Sequence, residues 1–173
     1  MSIESFVARV LRFLSIPLFV VALLLTYFNL PDRVAVHYTP GGQADGYLGR
    51  ESIFYIVGGI MLVFNMLFSF LSRSVSTLPA AALGVFSTAR WRSNPDALRS
   101  MLVAWFGLGA AALHIFLVLC LNALSELNDS ESKETVFDYR WLLSLGAGLL
   151  LVWLMYLPLR LWLTKPAKLL TEE

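Results

Sequence analysis

Four apolar stretches, each about as long as a bilayer core is thick, constrain this chain more than any other feature. A hydrocarbon core of roughly 30 Å takes about 20 apolar residues in a helix. The stretches run from about Phe13 to Leu30, Ile53 to Leu71, Met101 to Leu121 and Trp141 to Leu163. None is amphipathic along its whole length, as lipid contact on several sides requires. Of the 173 residues 58% are hydrophobic and 14% charged, against about 25% charged in a soluble domain. The expected fold class is an all-α integral membrane protein, a single four-helix domain over 1–173.

The net charge of +1 leaves no basic footprint for nucleic acid, and the single cysteine, Cys120, excludes a disulfide framework. Cys120 reads as an inert buried thiol. The first apolar run follows Arg9 and Arg12 but lacks a small-x-small cleavage site, so it reads as an uncleaved anchor, with Pro17 near its start. No lipidation motif is seen at either end. With the N-terminus inside, the inner segments hold Arg9, Arg12, Arg73, Arg90, Arg92, Arg99, Arg160, Lys165 and Lys168, and the outer ones Arg33, Arg50, Lys133 and Arg140. The positive-inside rule then places both termini in the cytoplasm. Tyr139, Trp141 and Trp162 fall where aromatic belts lie, and Arg160 is placed to snorkel to the headgroups.

The connection between the first two spans is rich in turn formers. Val34, Val36 and Tyr38 alternate with Arg33, Ala35 and His37, a strand pattern, and Pro40-Gly41-Gly42 and Asp45-Gly46 are turn sequences. A compact outer loop is expected there, with room for a short hairpin. In the inner segment 73–98, Leu78, Ala82, Leu83 and Phe86 predict a short interfacial helix over Pro79 to Ala89, followed by an Arg90-Trp91-Arg92 interfacial anchor. Asn94-Pro95-Asp96 is a helix start. The acidic segment 125–140 reads as a solvated, mobile linker, and Asn128-Asp129-Ser130 matches a glycosylation triplet.

Three groups of residues could carry function. His114 lies inside the third span, about 13 Å from its outer end at 1.5 Å per residue, where an ionisable group marks a functional site by default. By depth its expected partner is Asn65 in the second span, and the plain alternative is a neutral histidine that locks two helices together. In the loop, His37 with Asp32 and Asp45 offers ligands for a metal such as zinc, but the spacing fits no standard motif. An ordered loop in which His37 and Asp45 bond to turn backbone is favoured, and neither metal nor cofactor is expected. The third group is the small residues: Gly107 and Ala111, with Gly109 and Ala112 nearby, Gly58-Gly59, and Gly146/Gly148 allow close helix approach and read as internal packing. There is no phosphate loop, no metalloprotease or hydrolase motif and no nucleophile–base pair, so an enzyme is not expected.

The stretch Asn29-Leu30-Pro31-Asp32-Arg33, Val36-His37-Tyr38, Gly42, Asp45-Gly46-Tyr47 and Arg50 resembles the bacterial membrane domain of unknown function 1648, which also forms the N-terminal part of SdpI-type immunity proteins. The likeness covers a helix–loop–helix unit over 13–70, with Ala35 and Arg50 where the family often has proline and lysine. More distantly, the remainder is similar to four-helix members with a His and Asn near the outer end of the third helix, here His114 and Asn122. The resemblance implies a bacterial inner (cytoplasmic) membrane location and a shaped loop around His37 and Asp45. It transfers no catalytic residue.

The expected function is that of a small non-enzymatic membrane protein acting through contacts. It would serve as an accessory subunit of a membrane complex or as an immunity-like protector. Its partner would be another membrane protein or a second copy, met through helix faces, the His114 region and the Pro31–Arg50 loop with Asp32, His37, Tyr38, Asp45, Tyr47 and Arg50. The rival expectation is a small transporter or proton-linked sensor that uses His114.

Overall fold

The computed structural model describes residues 3–83, 91 and 94–163. In chain order the elements are α1 (Ile3–Asn29), β1 (Arg33–Tyr38), β2 (Ala44–Gly49), α2 (Arg50–Thr77), α3 (Ala80–Leu83), α4 (Pro95–Leu127), a 3-10 turn at Val136–Tyr139 and α5 (Trp141–Leu163). Four helical stretches are long and apolar enough to cross a membrane: α1, α2, α4, and the 3-10 turn together with α5. The two strands make the molecule mostly helical rather than all-α, since the turn-rich connection finds a ladder of its own.

Three of the helices outrun their apolar stretches. α4 has 33 residues, about 50 Å at 1.5 Å per residue, so it projects beyond a bilayer core at its ends. Its beginning is set locally. The Asn94 side chain accepts from the Ala97 N–H at 3.4 Å, Pro95 occupies the first turn, and Asp96 faces the positive end of the helix dipole. α1 starts at Ile3, which puts Pro17 inside the helix and not near its start. Pro17 takes away the donor that the Phe13 carbonyl would otherwise meet, and Pro158 does the same inside α5.

α4 is the centre of the assembly. It packs along α1 most extensively, then α2, then α5, whereas α1 and α2 touch each other much less. Its buried residues include Leu98, Met101, Leu102, Ala104, Ala110, Ala111 and Leu121. α1 contributes one stripe, Ala8, Ser15, Phe19, Leu23 and Thr26, and α2 a narrow seam of Ile53, Met61, Phe68 and Val75. In α5 no residue is buried. Lipid offers no hydrophobic gain for helix association, so shape and hydrogen bonds must hold these contacts. Small residues supply the shape: a Cβ on Gly107 would lie 3.6 Å from Ala8 Cβ, on Gly109 2.6 Å from the Trp153 indole, and on Gly146 2.7 Å from Phe116. All three serve packing within the chain, as the spacing predicts, while Gly59 and Gly148 face open space.

α5 is fastened at three points. Trp105 and Trp153 stack with centroids 4.3 Å apart and planes 6° apart. Trp105 Nε1–H donates to the Trp153 carbonyl at 2.7 Å, and Trp153 Nε1–H to the Trp105 carbonyl at 2.9 Å. Arg160 pairs with Glu4 of α1 at 2.6 Å, so it is engaged by protein and does not snorkel free. Trp91 Nε1–H donates to the Leu161 carbonyl at 3.0 Å. Trp91 is thus a buried core residue, packed with Leu83, Leu98 and Leu102, and not the exposed anchor that its arginine neighbours suggest. Arg90 and Arg92, with 84–89 of the expected interfacial helix, lie outside the described residues.

Candidate functional site

Two polar constellations stand out, one on the hairpin and one inside the apolar stretches. The hairpin is antiparallel, with Arg33 opposite Gly49, Ala35 opposite Tyr47 and Tyr38 opposite Ala44. Its register shifts between Ala35 and His37. The shift breaks the two-residue alternation: Val34 and Ala35 are both buried, and Val36 is exposed. The expected common face of Val34, Val36 and Tyr38 therefore does not form. The turn closes through Gly42 N–H to the Thr39 carbonyl at 2.9 Å, with Gly42 at φ 82, a left-handed conformation that favours glycine. Gly46 sits opposite His37, where a Cβ would come within 2.7 Å of His37 Cβ.

The charged residues of the hairpin pair with one another. His37 Nδ1 meets Asp45 Oδ1 at 2.5 Å, a side-chain pair in place of the expected bonds to turn backbone. Asp32 accepts from Arg50 at 3.1 Å, bridging the start of the hairpin to the start of α2. The Arg33 guanidinium lies 4.3 Å from the Tyr47 ring centroid and that of Arg50 5.5 Å from Tyr27. Tyr38 is half-buried, and its hydroxyl has no hydrogen-bond partner among the described residues. Burial, then the neighbouring Tyr47, holds that hydroxyl above the usual phenol range. No cluster of three or more His, Cys, Asp or Glu able to hold a metal occurs among the described residues.

Sequence reading missed what holds the hairpin down. Asn128 caps the C-terminal end of α4 and reaches β1. Its Oδ1 accepts from the Ala35 N–H at 2.7 Å, and its Nδ2 donates to the Ala35 carbonyl at 3.2 Å. The second loop also reaches the hairpin turn, since Phe137 covers Gly42. Thr135 and Asp138 close a capping box around the 3-10 turn, with Asp138 Oδ2 accepting from the Thr135 N–H at 2.8 Å. The segment 125–140 is therefore tied to the hairpin, and the mobile linker expected from its composition is corrected. A few side-chain-to-backbone bonds suffice to order a polar segment that has no core of its own.

Within the apolar stretches the expected Asn65–His114 pair is replaced by two separate contacts through α1. Arg12 donates to Asn65 Oδ1 at 3.0 Å and to Ser69 Oγ at 2.6 Å. His114, 1% exposed, meets Ser15 through Nδ1 at 2.9 Å. The Ser15 hydroxyl also lies 3.0 Å from the Arg12 carbonyl, so its one proton is shared between two acceptors or His114 Nδ1–H supplies the second bond, according to the tautomer. Its Nε2 is buried and without a hydrogen-bond partner among the described residues. Asn122 lies on the exposed face of α4, apart from both contacts. Among the described residues no carboxylate pairs with Arg12.

A family model described as "Domain of unknown function (DUF1648)" matches residues 14–62. The match takes in most of α1, the whole hairpin and the first part of α2, so it contains every charged pair of the hairpin described above. No curated protein and no solved structure matches the chain.

Proposed function

We propose that this chain is a multi-pass protein of a bacterial cytoplasmic membrane, with both termini inside and the hairpin outside. In this reading it acts by docking on a partner and performs no catalysis. The partner is another membrane protein, for which the chain serves as an accessory subunit or an immunity-like protector, or a second copy of the chain. One observation carries the reading. α5 is strongly apolar yet buries no residue within the chain, and a cleft opens on each side of it. One, of about 310 Å³, is lined by Phe64, Phe68, Phe116, Gly146 and Trp153. The other, of about 270 Å³, is lined by Leu11, Ile115, Val152 and Tyr156. Helices pack in lipid by filling such shapes. The positive residues of the connections support the orientation.

The test is native mass measurement in lipid nanodiscs, combined with photo-crosslinkers placed on Leu151 of α5 and Tyr47 of the hairpin. A stoichiometric heteromer or homo-oligomer crosslinked at α5 is expected. A monomer at every lipid ratio, crosslinked only to lipid, would sink the reading. A separate observation, the unpartnered Nε2 of His114, favours a second reading: a proton-linked sensor or small transporter. It requires a pH-dependent phenotype between pH 5 and 8 that His114→Ala abolishes and His37→Ala spares.

A further inference from the structure

A chain of aromatic rings and one carboxylate line the same cleft where α1 ends and α2 begins. Leu24, Tyr27 and Phe28 of α1 and Glu51, Phe54 and Tyr55 of α2 line one cleft of about 330 Å³. The rings run edge to face from one helix to the other. Tyr27 lies 5.7 Å from Phe28 and 5.2 Å from Phe54, and Phe54 lies 5.6 Å from Tyr55.

Glu51 is exposed, and no ion pair reaches it among the described residues. Its neighbour Arg50 is engaged elsewhere, paired with Asp32 at 3.1 Å and lying 5.5 Å from the Tyr27 centroid. The charge of Glu51 is therefore left over. Its place in the first turn of α2 suits the helix dipole, but the dipole does not account for four aromatic rings gathered on the same side. An aromatic belt alone does not account for the arrangement either, because belt residues need neither a shared cleft nor an acidic residue in its lining. Arg50 over Tyr27 shows that one of these rings already takes a cation on a face.

We propose that this cleft binds an organic ammonium cation, with Glu51 as counter-ion and the faces of Tyr27, Phe54 and Tyr55 as walls. Aromatic faces and one carboxylate favour an organic ammonium over sodium: a quaternary ammonium sets weakly hydrated methyl groups against the rings, and a primary ammonium adds N–H donors for the carboxylate. Two sources carry that group at this depth: a phosphatidylethanolamine headgroup in the leaflet on the hairpin side, or a free amphiphilic amine. The proposal does not depend on the partner reading above.

The experiment uses the full chain in nanodiscs. In one arm, discs of pure phosphatidylglycerol are titrated with tetramethylammonium or choline at constant ionic strength, and binding is followed by saturation transfer from the protein to the ligand methyl protons. In the other, discs of mixed phosphatidylethanolamine and phosphatidylglycerol are opened by native mass spectrometry and the retained lipid is identified. Wild type is expected to bind in at least one arm. Binding in the first identifies a free amine as sufficient; retention of phosphatidylethanolamine in the second identifies a headgroup. In either case Glu51→Gln should weaken binding about tenfold and Tyr55→Leu about threefold, with Glu51→Asp recovering part of the loss. Binding no stronger than that of sodium or phosphatidylglycerol, or Glu51→Gln and Tyr55→Leu proteins that match wild type in both arms, overturns the proposal. Both side chains are exposed, and unchanged helicity and elution serve as the check on folding.

Discussion

Asn128 binds both backbone groups of Ala35, at 2.7 Å to the N–H and 3.2 Å to the carbonyl. It therefore does for the edge of β1 what another strand would do, because a side-chain amide carries a donor and an acceptor side by side. It also donates to the Leu124 carbonyl at 2.9 Å, which fixes the hairpin to the end of α4.

Replacing that amide should loosen the hairpin without disturbing the helices. Asn128→Asp keeps an acceptor for the Ala35 N–H but sets a carboxylate against the Ala35 and Leu124 carbonyls. We expect a loss of about 1–3 kcal/mol of local stability, read as faster amide hydrogen exchange at Ala35 with α4 amides unchanged. Equal exchange at Ala35 in both proteins would show that the contact carries no weight.

The Trp105–Trp153 pair should behave as one unit. Trp105→Phe and Trp153→Phe each keep a ring and lose an indole donor, and each should cost about 1 kcal/mol. A double-mutant cycle of reversible unfolding in detergent should give a coupling energy of about 0.5–3 kcal/mol. Strict additivity would mean that the two indoles stack without cooperating.

Glycines facing aromatics should tolerate no methyl group. Gly109→Ala places a Cβ 2.6 Å from the Trp153 indole, so the indole or α5 with it must shift. The expected cost is about 1–3 kcal/mol, seen as a lower thermal midpoint in detergent. Gly148→Ala, which meets open space, should leave the midpoint where it is or raise it.

The two polar contacts of α1 should be separable. Ser15→Ala strips His114 of its hydrogen-bond partner and should cost about 1–3 kcal/mol. His114→Ala should be coupled to Ser15→Ala and additive with Asn65→Ala, because Asn65 serves Arg12 and not His114. Coupling between Asn65 and His114 instead would contradict the geometry.

Hydrocarbon thickness made the four spanning stretches legible, because a run of apolar residues announces itself without a partner. The Asn94-Pro95-Asp96 start of α4 was legible for the same reason: its chemistry lies within one turn. Depth along a helix could be counted as well, and it placed Asn65 and His114 at similar heights. Azimuth could not. Which way each side chain turns depends on packing, and α1 interposes Arg12 before Asn65 and Ser15 before His114. Ala35 and Asn128 stand 93 residues apart, so no local pattern links them. The polar composition of 125–140 pointed to solvent because composition counts charges and does not see that one asparagine fits a strand edge. Trp91 misled through its neighbours: two flanking arginines suggest a headgroup anchor, whereas its indole is used indoors.

Since α1, α2 and α5 each lean chiefly on α4, the chain is built like a mast with three stays. Deleting one residue of α4 between Trp105 and His114 would rotate one against the other by about 100°, so that His114 could keep Ser15 or Trp105 could keep Trp153, but not both. Changes of length that survive in relatives of this protein should therefore gather in the connections, and the span of α4 between Trp105 and His114 should keep one fixed tally of residues.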